Sequence, residues 1–185
     1  MINVIPRNAK RVFKGILFDV YQWKQKMLDG SVETFEAVKR NHSVQVIAVL
    51  NNRIVLLTEE QPFIGKFVSL PGGIVDKGES PRAAARRELL EETGLDCSSL
   101  MLWRKASISS KVDWTTYYYI ARDCKKISEP KNSPGERLVP FTVSFEGFLK
   151  ETQKKRFRNK SFSEIIFREA ASKQKKDALK KQIFK

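Results

Sequence analysis

Glu88, Glu91 and Glu92 stand within five positions of a chain that carries 35 basic and 21 acidic residues. Like charges at helical spacing repel and cost stability. The segment around them, "SPRAAARRELLEETGL", is strongly helical in propensity. Ser80 is placed to cap the first free amides, Pro81 suits the first helical position, and Gly94 can take the left-handed conformation that ends a helix. The spacing predicts a helix over 81–93, with the three carboxylates inside an arc of about 100°. Ala85, Leu89 and Thr93 lie beside that arc and are free to pack on a sheet. The carboxylates sit near the helix C-terminus, where the macrodipole already disfavours anions. A hard divalent cation removes both penalties, and Mg²⁺ prefers oxygen ligands together with water and substrate phosphate.

The elements that must hold this helix are legible from pattern. Residues 12–22 read as a strand, and a turn at Asp29-Gly30 leads into a second extended run over 32–39, as in a hairpin. Residues 43–50 and 54–60 repeat the arrangement around the turn "NNR". A short strand over 66–73 runs into a glycine turn before the helix. Residues 100–107 and 114–123 are rich in β-branched and aromatic side chains and read as strands. The composition of 125–136 marks a loop. "RLVPFTV" reads as a strand whose Pro140 confines it to an edge or a bulge. Helices are expected at 145–152 and 161–182, the latter with Phe162, Ile165, Ile166, Ala170 and Leu179 on one docked face. The expected class is α+β, a helix packed on a sheet.

Gly73, Glu79, Arg87-Glu88-Leu89, Glu91-Glu92 and Gly94-Leu95 supply nine specified positions at fixed spacing over 23 residues. At every one of them the stretch resembles the Nudix box of the Nudix hydrolases. The resemblance implies an α/β/α sandwich around a mixed sheet and hydrolysis of a nucleoside diphosphate linked to another group, with Mg²⁺ or Mn²⁺. It implies Glu88 and Glu92 as principal metal ligands and Glu91 as a further ligand or water-orienting carboxylate. The Gly72 carbonyl would add another oxygen ligand. Arg87 would orient the glutamates, and Glu79 would tie loop to helix. Such a cation neutralises the pyrophosphate and lowers the pKa of an attacking water.

The flanks are similar to the ADP-ribose pyrophosphatase branch, in which an N-terminal antiparallel extension often exchanges across a dimer. That likeness implies Phe35 as an adenine-stacking residue, with Trp23 second, and Arg40 near the diphosphate or terminal ribose. It implies Glu136 as the loop carboxylate that serves as base or positions water, with Glu129 second. The branch reads "LELPAG" before the box, whereas this chain reads "VSLPGG" over 68–73, and it carries a downstream proline that is absent near Lys111. Three regions follow: an extension over 1–42 expected to dimerise, a Nudix domain over 43–152, and a basic helical tail over 153–185.

Composition narrows the alternatives. The chain has 185 residues, enough for one domain with a full core. No window approaches the ~20 apolar residues of a membrane span, and the N-terminus lacks the apolar core and small-residue cleavage site of a signal peptide. The expected place is the cytoplasm, where Cys97 and Cys124 would stay reduced. His42 is the single histidine, which excludes a multi-histidine metal centre and leaves a Ser-His triad without support. From Lys150 to Lys185 there are 13 lysine or arginine residues against 4 acids, +9 of the total +14. A basic tail can hold polyphosphate or nucleic acid, so an RNA 5′-end pyrophosphohydrolase or a nucleic-acid-associated Nudix protein is the second reading. The tail has no recognised RNA-binding signature and reads first as a docked helix with a solvated face. The expected partners are a small nucleotide and a second copy of the chain.

Overall fold

The computed structural model describes residues 4–131 and 134–185, with the side chain of residue 108 left aside. Residues 1–3, and residues 132 and 133 of the expected loop, lie outside the described residues.

Among the described residues nine strands form one curled mixed sheet. β1 (Lys10–Lys14), β2 (Asp19–Lys26) and β3 (Val32–Lys39) make an antiparallel N-terminal meander. β4 (Ser43–Leu50), β5 (Arg53–Gln61) and β6 (Gly65–Ser69) precede the helix α1 (Pro81–Thr93). β7 (Leu95–Ser109) and β8 (Val112–Lys126) form a long hairpin, followed by β9 (Arg137–Val143). β8 runs parallel to β4 through Ser43↔Thr116 to Ala48↔Ala121, and touches β3 only at Val38↔Val112 and Lys39↔Asp113. β9 pairs with β5 alone and sets Pro140 opposite Leu57. That is the edge position expected for a residue without an N–H. Helices α2 (Phe145–Gln153), α3 (Lys160–Glu169) and α4 (Lys173–Phe184) close the chain.

Alternation along the central strands builds two cores. Val44, Val46, Ala48, Val55, Tyr119 and Ala121 face α1, meeting Ala84, Ala85 and Leu89. Ile47, Val49, Ile54, Leu56, Tyr118 and Ile120 face the other way, toward α2, α3 and α4. Both faces are therefore covered, and the central strands read as nearly continuous apolar runs. Phe162 anchors the second core, its ring within 6.4 Å of those of Trp103, Tyr118, Phe148 and Phe157. The α+β class and the helix–sheet–helix layering match the expectation.

β7 and β8 run longer than the strands expected over 100–107 and 114–123 and take in the first two residues of the loop expected over 125–136, and three further elements differ. The strand expected over 12–22 is two strands, because the Gly15 amide donates to the Phe18 carbonyl at 2.9 Å and closes a turn. Apolar Ile16 and Leu17 at the tip hid that turn from pattern reading. The strand expected over 66–73 ends at Ser69, and residues 70–73 form a loop. The helix expected over 161–182, within a tail taken as one helix over 153–185, is broken between Glu169 and Lys173. Ser172 caps the new start, its hydroxyl accepting from Lys175 N at 3.3 Å. The break lets Leu179 and Ile183 reach the core that Phe162 and Ile166 already occupy. Arg122 then holds the last carbonyls of α4, Ile183 O and Gln182 O, as suits a cation at a helix C-terminus. Among the described residues no helix is long and apolar enough to cross a membrane.

Cys97 and Cys124 face each other across β7 and β8 as free, buried thiols. Burial pushes both thiols up, Cys124 to about 12. The thiolate is the nucleophile. Neither cysteine should therefore be alkylated by iodoacetamide at pH 8 in the native protein, and both should be in denaturant, as read by intact mass. Rapid native labelling of either one would contradict the packing of this hairpin.

Candidate active site

Arg87 organises the box. Its Nε and Nη2 donate to the two oxygens of Glu79 at 3.1 and 3.0 Å, and Nη2 also reaches the Ile74 carbonyl at 3.0 Å. Its Nη1 donates to Glu88 at 2.8 Å and to Glu91 at 3.2 Å. One guanidinium thus ties the loop before the helix to two helix carboxylates, the fork geometry that arginine offers and lysine does not. The Glu79 carboxyl is held below its usual range, chiefly by the hydrogen bonds from Arg87. The helix is capped at both ends. Ser80 Oγ accepts from Ala83 N at 3.1 Å, and Gly94, at φ +71°, donates from N to the Leu90 carbonyl at 2.8 Å.

The loop over 70–73 brings Glu88 and Glu92 together. β4 takes the carbonyls of Pro71 and Gly73 at 2.8 and 2.9 Å, so the Gly72 carbonyl between them is not spent on that strand. The Gly72 N–H donates to Glu92 Oε2 at 2.7 Å, and the Glu88 carboxylate lies directly against Gly73. Glu92 is 8% exposed. Burial pushes its carboxyl up to about 9, and repulsion from Glu59, Glu88 and Glu136 adds to that against the Gly72 hydrogen bond. Glu88 is raised as well, first by burial and with Arg87 opposing. Glu91 keeps a side chain 41% exposed beside Arg87 and does not line the cavity that Glu88 and Glu92 share.

That cavity has a volume of about 680 Å³. Its acidic side holds Glu59, Glu88, Glu92 and Glu136. Glu136 accepts from Gln61 Nε2 at 3.3 Å, which places the expected loop carboxylate at the site. Glu129 instead pairs with Lys126 at 2.8 Å, with its side chain 83% exposed, and is absent from the cavity wall. Arg40 lines the wall, stacked on Trp114 at 4.3 Å and on Phe18 at 5.5 Å. Its buried Nε has no hydrogen-bond partner among the described residues. Burial lowers its pKa from the ordinary arginine value.

Phe35 does not line the cavity of its own chain. It faces Trp23 across the β2–β3 hairpin, centroids 6.0 Å apart, because the two are register partners. β3 meets the main sheet only at residues 38 and 39, which leaves Phe35 outside. Sequence reasoning missed Trp114, Gln45, Glu59, Arg158 and Asn159. Two of these carried a signal. Gln45 interrupts an otherwise apolar strand, and Trp114, Thr116 and Tyr118 share one face by alternation. Asn159 Nδ2 joins them, donating to Gln45 Oε1 at 2.9 Å and to Tyr118 Oη at 3.2 Å.

The donor set is all oxygen, the buried Glu92 carboxylate, the partly buried Glu88 carboxylate and a carbonyl, which fits a hard divalent cation and not a soft one. Among the described residues no three carboxylate, imidazole or thiol groups close around one point. Glu92 accepts from the Gly72 N–H, and the Glu88 carboxylate lies against Gly73.

The NUDIX domain family model matches residues 39–174. The chain is 31% identical over 145 residues to the ADP-ribose pyrophosphatase of Bacillus subtilis (strain 168), covering 76% of this chain and 78% of the relative. It is 30% identical over 131 residues to the methanol dehydrogenase activator of Bacillus methanolicus, 69% of each. A shorter match, 42% over 65 residues, joins it to the RNA pyrophosphohydrolase of Brucella ovis, over 35% of this chain and 33% of the relative. A solved structure titled as an ADP compounds hydrolase superposes with a TM-score of 0.65 at 21% identity, covering 88% of this chain and 91% of that one, and so shares the fold. With the box hydrogen-bonded as described and the family model spanning most of its length, the chain belongs to the Nudix hydrolase family.

Proposed function

We propose that this chain hydrolyses the pyrophosphate of a nucleoside diphosphate linked to a sugar, with ADP-ribose or a related sugar nucleotide as the preferred substrate. The products are a nucleoside monophosphate and a phosphorylated sugar. The observation that carries the reading is one cavity with Glu88 and Glu92 against Gly72-Gly73 on one side and Arg40 stacked on Trp114 on the other. The first side suits a metal-bridged diphosphate. The second offers an aromatic face and a cation to a nucleoside or ribose. The similarity to relatives named as ADP-ribose and ADP-sugar pyrophosphatases supports the choice.

In this reading Glu88, Glu92 and the Gly72 carbonyl hold Mg²⁺ or Mn²⁺. When bound, the cation supplies charge neutralisation at phosphorus and a water of lowered pKa. Arg87 keeps Glu88 in place through its Glu79 anchor. Glu136, steadied by Gln61, takes the proton of the attacking water or orients it. The bridging P–O bond breaks and its electron pair leaves with the departing phosphate ester. The expected place of action is the cytoplasm, where the two thiols stay reduced.

The working form is a homodimer in this reading. The β1–β3 meander leaves Val12, Phe13, Leu17, Phe18 and Val32 at least 40% exposed, and a three-stranded sheet with bare apolar residues calls for a cover. A second copy also gives Phe35 a route to a neighbour's cavity. Light scattering should return twice the 21.3 kDa chain mass at micromolar concentration. Deleting residues 1–40 should give monomers or aggregates and weaken substrate binding. A full-length monomer at that concentration overturns the dimer.

RNA 5′-end hydrolysis is the second reading, favoured by Arg158 and Lys160 on the cavity wall and by the Brucella match. A panel of ADP-ribose, other sugar nucleotides, dinucleotides and 5′-triphosphate RNA, with Mg²⁺ and Mn²⁺ and products identified by mass, decides between them. The expected winner is ADP-ribose. Replacing Lys173, Lys175, Lys176, Lys180 and Lys181 with glutamine should leave its kcat/KM almost unchanged, because α4 docks through Leu179 and Ile183. Robust RNA turnover that collapses in that variant, with ADP-ribose poor in both, would reverse the assignment.

A further inference from the structure

Gln45 interrupts β4 on the face that carries Ile47 and Val49 into the core toward α3. A polar side chain in such a place costs stability unless it is hydrogen-bonded. Half of its amide is. Asn159 caps α3 through Oδ1, which accepts from Phe162 N at 2.9 Å. Only the carbonyl oxygen can face that N–H, so the Asn159 amide turns Nδ2 the other way. Nδ2 donates to Gln45 Oε1 at 2.9 Å and to Tyr118 Oη at 3.2 Å. Gln45 therefore spends its oxygen on Asn159 and keeps Nε2, whose N–H groups meet no acceptor among the described residues. The holder is firm. Arg158 N donates to the Val68 carbonyl and Val68 N to the Arg156 carbonyl, both at 2.9 Å, and Phe157 between them is fully buried. Asn159 is thus fixed to β6 on one side and to α3 on the other.

Gln45 lines the same cavity as Glu59, Glu88, Glu92 and Glu136. Ionised carboxylates only accept hydrogen bonds, so such a wall needs donors before it can hold an anionic diphosphate. A lysine or arginine at position 45 would pair with those carboxylates and compete with a cation for them. A neutral amide attracts a phosphoryl oxygen without doing so. The backbone at Gln45 also packs on the box, since a Cβ on Gly72 would lie 2.8 Å from Gln45 Cα. Ser43, which precedes Gln45 on the same face of β4, accepts from Trp114 Nε1 at 3.0 Å, and Arg40 stacks on that ring. We propose that Gln45 is a substrate-binding residue whose Nε2 donates to a phosphoryl oxygen of the bound diphosphate, and that Asn159 is the positioning residue that holds this donor toward the cavity. The assignment rests on the hydrolase reading above and adds a residue to that site. It differs from a purely structural role, in which Gln45 would serve only to support the cap of α3.

The test sets the full parent chain beside Gln45→Glu, Gln45→Met and Asn159→Asp. It reads ADP-ribose hydrolysis with Mg²⁺, calorimetric binding of ADP and of inorganic pyrophosphate with Mg²⁺, and a thermal melt. Gln45→Glu keeps an oxygen for Asn159 and replaces the donors with an anion, and Gln45→Met removes the donors without adding charge. Both should raise KM for ADP-ribose by about 10-fold or more with kcat changed much less, the pattern of a lost hydrogen bond to a charged group held in ground and transition states alike. ADP and pyrophosphate should bind correspondingly more weakly. Asn159→Asp still caps α3, but its carboxylate accepts from Gln45 Nε2 and turns the amide over, so KM should rise in the same direction. The losses from Gln45→Met and Asn159→Asp should not add when the two are combined. A lower melting temperature with parental KM and parental pyrophosphate affinity in the Gln45 variants marks a structural role and overturns the proposal. Parental pyrophosphate affinity beside a raised KM places the contact on the nucleoside or sugar and also overturns it. Additive losses in the combined variant overturn the positioning by Asn159. A parent chain that binds pyrophosphate but leaves ADP-ribose intact refutes the sugar-nucleotide reading alone, and the pyrophosphate arm then decides the role of Gln45. If the parent binds neither ADP nor pyrophosphate, both readings fail. Should Gln45→Glu not fold, Gln45→Met carries the same comparison.

Discussion

Glu92→Gln lowers kcat by at least about 10²-fold while leaving the chain folded, and Glu88→Gln does the same. Each change removes one charge from the oxygen set that would hold the cation, and stabilisation of developing charge of this kind is commonly worth about 10²–10³ in rate. The fold should survive because the glutamine amide still accepts from the Gly72 N–H, now made to Glu92 at 2.7 Å. Steady-state kinetics at saturating Mg²⁺ on whichever substrate the panel selects, beside a thermal melt, is the measurement. Near-parental turnover in Glu92→Gln would falsify the site.

The same residue sets a pH dependence in the cation-free protein. Burial first, then its carboxylate neighbours, push the folded Glu92 carboxyl up to about 9. In the unfolded chain a glutamate titrates near ~4.3. The unfolded state therefore releases this proton first. The contribution is fully present below about pH 4.3, is lost as pH climbs, and is gone above about pH 9. In EDTA the melting temperature of the parent chain should fall across that window, and Glu92→Gln should flatten the fall. Divalent cation should restore the parent and help the variant much less. Identical pH profiles for both proteins would remove Glu92 from the account.

How far the sequence carried can be argued from single residues. Glu79, Arg87, Glu88 and Glu92 were legible because the box lies within one loop and one helix, and local spacing determines how such groups meet. Arg40 and Glu136 came from likeness to a branch, and the cavity holds both. Phe35 came from the same likeness and stands apart, since a stacking role depends on where a hairpin leaves the sheet, which pattern does not encode. Asn159 meets Gln45 across 114 residues of chain, and Arg158 meets Gln61 across 97. Contacts at such separation follow from the Val68↔Phe157 bridge, which pins the segment before α3 to β6 and leaves no mark on hydrophobic period. Glu59 was hidden differently. "IVLLTEE" reads as a strand with a charged end, and only the pairing of β5 with β6 shows that one of its two glutamates turns inward.

Gly73→Ala should abolish most of the activity without unfolding the chain, and Gly72→Ala should do the reverse in order of cause. A Cβ on Gly73 would fall on the Glu88 carboxylate, 2.5 Å from Cδ and 2.8 Å from Oε2. That obstacle is the far end of a flexible side chain, so the helix and loop can keep their places while the carboxylate swings aside. Displacing a reacting or ligating group by about 1 Å can cost about 10²-fold in rate, and a loss of at least that size is expected in kcat. Mn²⁺ affinity should drop in parallel, with the melting temperature shifted by only a few degrees. Gly72 is different on two counts. Its φ is +153°, which side chains rarely adopt, and a Cβ there would run into the Val44 carbonyl and lie 2.8 Å from Gln45 Cα, both backbone. The loop would have to leave β4, breaking the bonds from Val44 and Val46 to Gly73 and Pro71. Gly72→Ala should therefore melt well below the parent and lose activity as a consequence of lost structure. Melting curves and Mn²⁺ titrations on the two variants side by side separate the causes. A Gly73→Ala protein with parental Mn²⁺ affinity and turnover would mean that Glu88 has no duty at the place where this glycine makes room for it.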